Sequence, residues 1–150
     1  WVNSGNPTII ESFTPYYADY PYGMHSLKAV YMYNPRKLRG MNSLGSASVV
    51  GVESPIWTEY IKDFDRLTGM CFPRWMAVAD TAWNGNEKKN YAKFLKSVAF
   101  FCDILREYGI KSADESEWNI LPHKRLSQTL GFVKKSVSPT IIKQFFHKDS

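Results

Sequence analysis

Cysteine is scarce in this sequence, with only two in 150 residues. Cys71 and Cys102 lie far apart and follow no ligand spacing. The sequence therefore indicates neither a disulfide framework nor a zinc site, and both residues are predicted to be thiols of the core. Long apolar runs are absent too, because no segment approaches the roughly 20 residues of a membrane-spanning helix, and no stretch resembles a signal peptide. No membrane partner is expected.

Basic residues outnumber acidic residues only slightly in this sequence. The chain carries 19 basic and 14 acidic residues, a net charge of +5. The excess lies in residues 111–150 as scattered lysines such as Lys134, Lys135 and Lys143, rather than in a continuous stripe, so nucleic-acid binding is not expected. With 44% hydrophobic and 22% charged residues, the composition is that of an ordinary globular domain, which excludes disorder for most of the chain.

Apolar patterning predicts two strands and several helices. Residues 7–13 and 47–52 are short, rich in β-branched residues and bounded by turn formers, which indicates buried strands. Helical spacing of apolar residues predicts helices over 24–33, 72–83 and 88–108, with weaker signals over 124–135 and 139–147. Residues 36–47 and the polar passage before residue 72 are expected to be connections. This order is typical of parallel βα units, an α/β fold, although two strands cannot close a barrel.

Aromatic side chains, 15% of the sequence, gather with carboxylates just after the two predicted strands. The two clusters are Tyr16, Tyr17, Asp19, Tyr20 and Tyr22, and then Glu53, Trp57 and Glu59. α/β folds place binding sites at these strand ends. A pyranose offers an apolar face to an aromatic ring and hydroxyls to a carboxylate, so these residue types suit a sugar. In the alternative interpretation the tyrosines fill a core while the acids cap helices or pair with Arg36 or Arg39, and composition leaves both open.

Four motifs, spaced in order along the chain, carry a resemblance to a known family. Residues 51–59 read GVESPIWTE, residues 72–83 read FPRWMAVADTAW, and upstream Tyr17-Ala18-Asp19 precedes residues 31–35, YMYNP. Together they resemble the G-x-E-x-x-x-W-x-E, F-P-R, Y-L-D and V-Y-x-x-(D/N)-P motifs of family 20 glycoside hydrolases, the β-N-acetylhexosaminidases. The resemblance implies an eight-stranded (β/α)8 TIM barrel. This chain would hold an incomplete barrel, its last strands and helices over 1–110, followed by a helical C-terminal extension over 111–150.

The resemblance also implies an activity. The family removes terminal N-acetylhexosamine (GlcNAc or GalNAc) residues from glycans by substrate-assisted retention, with no cofactor and no metal. Tyr17 would stabilise the reacting acetamido group, Asp19 and Glu59 would bind sugar hydroxyls, and Trp57 would wall the acetamido pocket. The family's catalytic Asp-Glu pair has no counterpart here, because the only such dipeptide, Asp114-Glu115, lies in a polar linker and is expected to be solvated. The chain alone is therefore expected to be inactive.

The sequence departs from the family's pattern at two points. Asp80 stands where the family has a glutamate, and we expect this to alter a structural ion pair with Arg74. No tryptophan occurs between residues 2 and 56. The pocket-lining tryptophan that many members carry there would be replaced by Tyr22, Tyr31 or Tyr33.

The remaining tryptophans and histidines favour structural interpretations. Trp75 and Trp83 lie at helical spacing among alanines, which predicts core packing for both. His25, His123 and His147 follow no metal-ligand spacing and are expected to be surface or packing residues.

The partners expected from this reading are a glycan with a terminal N-acetylhexosamine and something that covers the open strands. The first residue is Trp1 rather than Met, which suggests a piece of a longer protein, so the cover would be the rest of the barrel or a self-associated copy of this chain. A competing hypothesis is a non-catalytic carbohydrate-binding or interaction module derived from such an enzyme. Secreted, cell-surface and cytoplasmic locations are all compatible with the sequence.

Overall fold

The computed structural model describes residues 1–136, which contain two strands, eight α-helices and a short 3-10 helix (Val2–Ser4). The strands are β1 (Thr8–Glu11) and β2 (Val49–Glu53). The helices are α1 (Phe13–Tyr16), α2 (Leu27–Met32), α3 (Ser43–Ala47), α4 (Phe64–Cys71), α5 (Arg74–Asn84), α6 (Tyr91–Glu107), α7 (Glu115–Trp118) and α8 (Pro122–Ser136). The helix predicted over 139–147 lies outside the described residues.

The two strands pair in parallel, as the order of the elements predicted. Ile10 lies opposite Val52, and Glu11 lies opposite Glu53. Because side chains alternate between the two faces of a strand, Ile10 is buried and Val52 packs against the core, whereas Ile9 is 59% exposed. The sheet of residues 1–136 has only these two strands. It is therefore not a closed barrel, and the place of β1 and β2 within a barrel stays a prediction.

Two short helices lie in segments that were expected to be connections. α3 begins after Asn42, whose side-chain oxygen accepts a hydrogen bond from the Gly45 backbone N–H at 2.7 Å. α4 begins after Asp63, whose carboxylate accepts from the Arg66 backbone N–H, also at 2.7 Å. The prediction for residues 36–47 and for the polar passage was therefore wrong in part, because side-chain caps rather than a long apolar repeat start these helices.

The core lies where α2, α5 and α6 meet. Its buried members are Tyr16, Leu27, Val30, Tyr31, Ala77, Val78, Phe94 and Val98. The helices predicted over 24–33, 72–83 and 88–108 are confirmed as α2, α5 and α6, with somewhat different ends. Cys71 is buried, as predicted for a core thiol, whereas Cys102 is half-buried.

α5 buries a different stripe from the one expected. Its buried residues, at helical spacing, are Arg74, Ala77, Val78 and Thr81. Trp83 lies off this stripe and is 90% exposed, so the prediction that it packs in the core was wrong. Trp75 is half-buried, and its indole N–H donates to Ser54 Oγ at 3.1 Å.

The ion pair expected between Asp80 and Arg74 is not formed. Asp80 Oδ2 instead accepts from Lys89 Nζ at 2.8 Å, with the lysine almost fully buried. Helix side chains meet at i, i+3 or i, i+4, and Arg74 and Asp80 have neither spacing. The helix geometry therefore directs the two charges to different surroundings.

The C-terminal part of the described chain is helical. Asp114 begins α7 with a capping box, and both Asp114 and Glu115 are exposed, which confirms that this dipeptide is solvated. α8 confirms the helix predicted over 124–135. The division of the chain at residues 110 and 111 stays a prediction.

Candidate functional site

Two loops leave the carboxyl ends of β1 and β2 and lie side by side. We call residues 16–22 the Tyr loop and residues 54–60 the Trp loop. The Ala18 backbone N–H of the Tyr loop donates to the Pro55 carbonyl of the Trp loop at 2.9 Å. The carboxyl ends of neighbouring parallel strands share one edge of a sheet, so the two clusters predicted from the sequence meet here.

Asp19 connects the two loops through its carboxylate. Its Oδ2 accepts a hydrogen bond from the Trp57 backbone N–H at 3.3 Å. Its Oδ1 is buried and has no hydrogen-bond partner among the described residues, and the whole residue is only 5% exposed. A buried carboxylate oxygen without a donor is costly in a folded protein. Asp19 therefore keeps one acceptor without a donor, and a hydroxyl or N–H of a ligand would reach it once the side chains that cover it move aside.

Tyr17 and Trp57 present a pair of rings beside this carboxylate. Their ring centroids are 6.2 Å apart and their planes differ by 28°. Trp57 is 68% exposed, so the indole offers an open apolar surface. The Tyr17 hydroxyl donates to Glu11 Oε1 at 2.9 Å. This hydrogen bond raises the pKa of Tyr17, because deprotonation would place a phenolate next to a carboxylate.

Glu11, the last residue of β1, is a site residue that the sequence patterns do not select. The available signal was its position at the carboxyl end of a predicted strand. On the sequence alone, that position did not show that its side chain reaches Tyr17.

Tyr20 extends the aromatic surface on the other side of Tyr17. The centroids of the Tyr17 and Tyr20 rings are 6.3 Å apart, and Phe13 contacts both, at 5.3 Å and 5.0 Å. Burial of its hydroxyl raises the pKa of Tyr20, and the nearby charges of Asp19 and Glu59 act in the same direction. The Tyr loop thus presents its phenol groups in the uncharged form at neutral pH.

Glu59, the fourth predicted site residue, is less closely held. It is exposed near the end of the Trp loop and makes no hydrogen bond or ion pair within residues 1–136. Thr58, which separates it from Trp57, has φ of 56°. A β-branched residue rarely adopts this left-handed conformation. The structure therefore joins Tyr17, Asp19 and Trp57 directly, and leaves Glu59 at the margin of the site.

Arg74 supports the Tyr loop from inside the protein. It is 1% exposed, and its guanidinium donates to the carbonyls of Ala18 and Tyr20, which flank Asp19, and to the Met70 carbonyl. It also lies 4.1 Å from the centroid of the Tyr22 ring. Burial lowers the pKa of this guanidinium. The F-P-R motif indicated that this arginine matters, but not that it binds backbone carbonyls.

His25 holds the Tyr loop from a second direction. Its Nδ1 donates to the Tyr17 carbonyl at 2.9 Å, and its Nε2 lies 3.4 Å from Thr14 Oγ1. Burial lowers the pKa of His25, and the charge of Arg74 adds to this effect. The ring is 1% exposed, which confirms the prediction of a packing residue.

None of the three tyrosines proposed to replace a pocket tryptophan does so. Tyr22 and Tyr31 are buried, each 4% exposed, and the Tyr33 hydroxyl is buried as well. All three pack within the protein and none pairs with the rings of Tyr17 or Trp57. The replacement was wrong because these side chains are used for core packing.

Neither a group of metal ligands nor a membrane-spanning helix is found among residues 1–136. No group of three or more His, Cys, Asp or Glu side chains there is arranged to hold a metal ion. In the same range, no helix combines the length and the apolar character needed to cross a membrane. The groups that the two loops bring together are carboxylates, phenols and an indole.

Comparisons with known proteins identify the family of this chain. Residues 1–86 match the family model described as glycosyl hydrolase family 20, catalytic domain. A β-N-acetylhexosaminidase of Cellulomonas fimi is 35% identical over 77 residues, 51% of this chain and 15% of the relative. A β-hexosaminidase of Porphyromonas gingivalis is 31% identical over 88 residues, 59% of this chain and 11% of the relative. The chain thus covers only a small part of these relatives, and by its family model it belongs to glycoside hydrolase family 20.

Proposed function

We propose that this chain is the C-terminal portion of a β-N-acetylhexosaminidase and that it binds the terminal N-acetylhexosamine of a glycan. In this proposal β1 and β2 are the last two strands of the family's (β/α)8 barrel. The proposal is supported by the family of the chain, by the names of both relatives, and by the position of the two loops after parallel strands.

The single observation that carries the proposal is the unpartnered Oδ1 of Asp19 beside the Tyr17 and Trp57 rings. A sugar hydroxyl would satisfy this oxygen, and a charge-assisted hydrogen bond of this kind is strong. Oδ2 stays on the Trp57 backbone N–H, so the carboxylate keeps its orientation when the sugar binds. Glu59 would accept from a second hydroxyl at the open side of the site.

Trp57 would wall the pocket for the acetamido group. Its ring is exposed and lies nearly parallel to Tyr17, so an apolar methyl or C–H face can pack against it. The Tyr17 hydroxyl would donate to the acetamido oxygen. In the free chain this proton is donated to Glu11, so binding would require the hydroxyl to change its acceptor.

The proposed reaction is substrate-assisted retention. The acetamido oxygen attacks the anomeric carbon as the bond from that carbon to the leaving oxygen breaks. The leaving oxygen takes its proton from a carboxylic acid that we place outside this chain, and water then opens the oxazolinium-like intermediate with retention. Tyr17 contributes electrostatic stabilisation of the acetamido group. Asp114 and Glu115 take no part, because both are exposed at the start of α7.

The test is a titration of the ¹⁵N-labelled chain with GlcNAc, in which the indole N–H signals of the 5 tryptophans are followed. We expect the Trp57 signal, assigned with Trp57→Phe, to move with GlcNAc and not with glucose, which has no acetamido group. Asp19→Asn should weaken binding about tenfold or more, since a hydrogen bond to a charged group is lost. Trp57→Ala should weaken it comparably, whereas Trp83→Ala, which removes a still more exposed indole on α5, should not.

Two results would overturn the proposal. One is a Trp57 signal that does not respond to GlcNAc, or an affinity that Asp19→Asn and Trp57→Ala leave unchanged. The other is hydrolysis of an aryl N-acetylglucosaminide by the 150-residue chain itself, since the proton donor would then lie within it. If a longer natural chain carrying this segment bound GlcNAc but hydrolysed nothing, the segment would belong to a non-catalytic carbohydrate-binding module.

A further inference from the structure

α8 lies beyond the residues matched by the family model, yet it packs against both loops of the candidate site. The family model ends at residue 86, and α8 covers Pro122–Ser136. Three of its residues, Arg125, Gln128 and Phe132, contact the segment after β1. The helix therefore meets the site through specific contacts that the family relationship does not explain.

Gly23 is the point of closest approach. Its backbone N–H donates to Gln128 Oε1 at 3.1 Å, and its carbonyl accepts from Arg125 Nε at 3.4 Å. A Cβ at residue 23 would lie 2.9 Å from Gln128 Cβ and 3.0 Å from the Arg125 carbonyl oxygen. The second of these atoms is helix backbone and cannot rotate away. The absence of a side chain at Gly23 is therefore what allows α8 to lie against the Tyr loop.

Phe132 joins the two loops at their outer end. Its ring centroid lies 5.0 Å from that of Tyr20 in the Tyr loop and 5.0 Å from that of Tyr60 in the Trp loop. The Tyr60 hydroxyl also donates to Ser136 Oγ at 3.2 Å. One ring of α8 thus contacts one tyrosine from each loop, and these tyrosines directly follow Asp19 and Glu59 in the sequence.

The inner end of the two loops is held by hydrogen bonds between the loops, whereas at the outer end α8 contacts both loops. At the inner end, Ala18 bonds to Pro55 and Asp19 bonds to the Trp57 backbone. At the outer end the Trp loop passes through Thr58 in its left-handed conformation and is then fixed by Tyr60. Strained backbone persists only where its surroundings hold it. A backbone hydrogen bond from the Ile61 N–H to the Thr58 carbonyl, at 2.9 Å, closes this turn, and within the described residues α8 adds its contacts with Tyr60.

We propose that α8 is a positioning element of the sugar site and that Phe132 is its positioning residue. Phe132 sets the distance between the Tyr loop and the Trp loop, and so between the carboxylates of Asp19 and Glu59. This inference rests on the proposed function, because it assigns α8 a part in the same site. A helix that the family model does not cover would in this way determine how closely the site fits its sugar.

The experiment compares two variants that disturb the contact with two that do not. Phe132→Ala removes the shared ring, and Gly23→Ala pushes α8 away without touching any site residue. Leu130→Ala truncates an exposed apolar residue of the same helix, and Gly131→Ala adds a methyl group where no atom lies within 4 Å. The Trp57 indole signal is measured without sugar, GlcNAc affinity is measured by titration, and far-UV circular dichroism reports whether each variant is folded.

We expect Phe132→Ala and Gly23→Ala to move the Trp57 signal and to weaken GlcNAc binding about five- to tenfold, while the two control variants change neither. Phe132→Tyr should retain the wild-type values, because it keeps the ring. If Phe132→Ala and Gly23→Ala fold and leave both the Trp57 signal and the affinity at wild-type values, the inference is wrong. If one of these two variants fails to fold, the Trp57 signal and the affinity of the folded variant decide whether the inference holds.

The two proposals can fail separately. If GlcNAc does not bind to the wild type, the proposed function is lost, and the Trp57 signal in the absence of sugar still decides whether α8 positions the loops. If GlcNAc binds and depends on Asp19 but not on Phe132 or Gly23, the proposed function stands and the role of α8 is rejected.

Discussion

The Tyr loop and the Trp loop carry similar side chains but are supported in opposite ways. In the Tyr loop Ala18 and Asp19 are buried, and the carbonyls on both sides of Asp19 accept from the buried Arg74. In the Trp loop residues 57–59 are all exposed, and Thr58 holds an unfavourable backbone conformation. The first loop is built on the core, and the second depends on what lies beside it.

This difference indicates that the two loops would have different roles in the proposed sugar site. A carboxylate that must accept hydrogen bonds in a fixed direction benefits from rigid support, and Asp19 has it from Arg74 and His25. An indole that contacts a ligand with its face tolerates more movement. Substitutions in or beside each loop test this difference.

Removal of Arg74 should have the largest effect. Arg74→Met leaves several buried carbonyls without a donor, at about 1–3 kcal/mol each, so the free energy of unfolding should fall by about 3–5 kcal/mol. Urea unfolding measures this. Arg36→Met is the matched control, because Arg36 also donates to two carbonyls, those of Ser46 and Val49, but is exposed. A loss of less than 1 kcal/mol for both variants would show that the Tyr loop is not held by Arg74.

The stability of the protein should fall at acidic pH because of His25. Its pKa in the folded protein is lowered from 6.5 by burial, so the unfolded chain binds the proton more readily. Its contribution to stability is complete above pH 6.5 and is lost as the pH falls below that value, at a rate of at most about 1.4 kcal/mol per pH unit. Urea unfolding between pH 7 and pH 5 measures the slope. His25→Asn should flatten it, whereas His123→Asn, at an exposed position of α8, should not.

Relief of the strain at Thr58 should have a smaller effect of opposite sign. Thr58→Gly removes the side chain that disfavours φ of 56°, and the gain is partly offset by the greater freedom of glycine in the unfolded state. We expect the protein to be more stable by about 0.5–1 kcal/mol. Thr58→Asn, which tolerates this conformation, should give part of the gain. A loss of stability in both variants would mean that the Thr58 side chain makes a contribution larger than the strain.

The smallest effect on stability is expected for Tyr17. Its hydroxyl is solvent-accessible and bonds to the exposed Glu11, so Tyr17→Phe should leave Tm unchanged within error. The same change should weaken GlcNAc binding, because the hydroxyl is proposed to donate to the acetamido oxygen. A fall in Tm without a change in affinity would give the Tyr17 hydroxyl a structural role only.

Local patterns predicted the main elements. β-branched residues and flanking turn formers were enough for β1 and β2, and apolar repeats at helical spacing were enough for α2, α5 and α6, because both signals depend on neighbouring residues. α3 and α4 were not predicted, since each is short and starts from a side-chain cap. Residue type and position after a strand were likewise enough to predict the two clusters, whereas Tyr17, Asp19, Trp57 and Glu59 were selected within them by the resemblance to the family's motifs.

Long-range partners could not be predicted in the same way. The ion pair of Arg74 with Asp80 was expected from a departure from the family's motif, but one of the carbonyls that Arg74 binds, that of Ala18, is 56 residues away. Trp83 was predicted to lie in the core because of its helical spacing among alanines, but the face of α5 on which it lies is open.

The sequence by itself determined the parallel arrangement of β1 and β2, the strand ends that carry the candidate site, and the motifs of the family. Tertiary structure alone decided that Arg74 holds Asp19, that Glu11 accepts from Tyr17, and that α8 reaches the site through Gly23. The physical reason is separation along the chain. Gly23 and Gln128 are 105 residues apart, and a hydrogen bond over that distance depends on how the whole chain packs rather than on any local pattern.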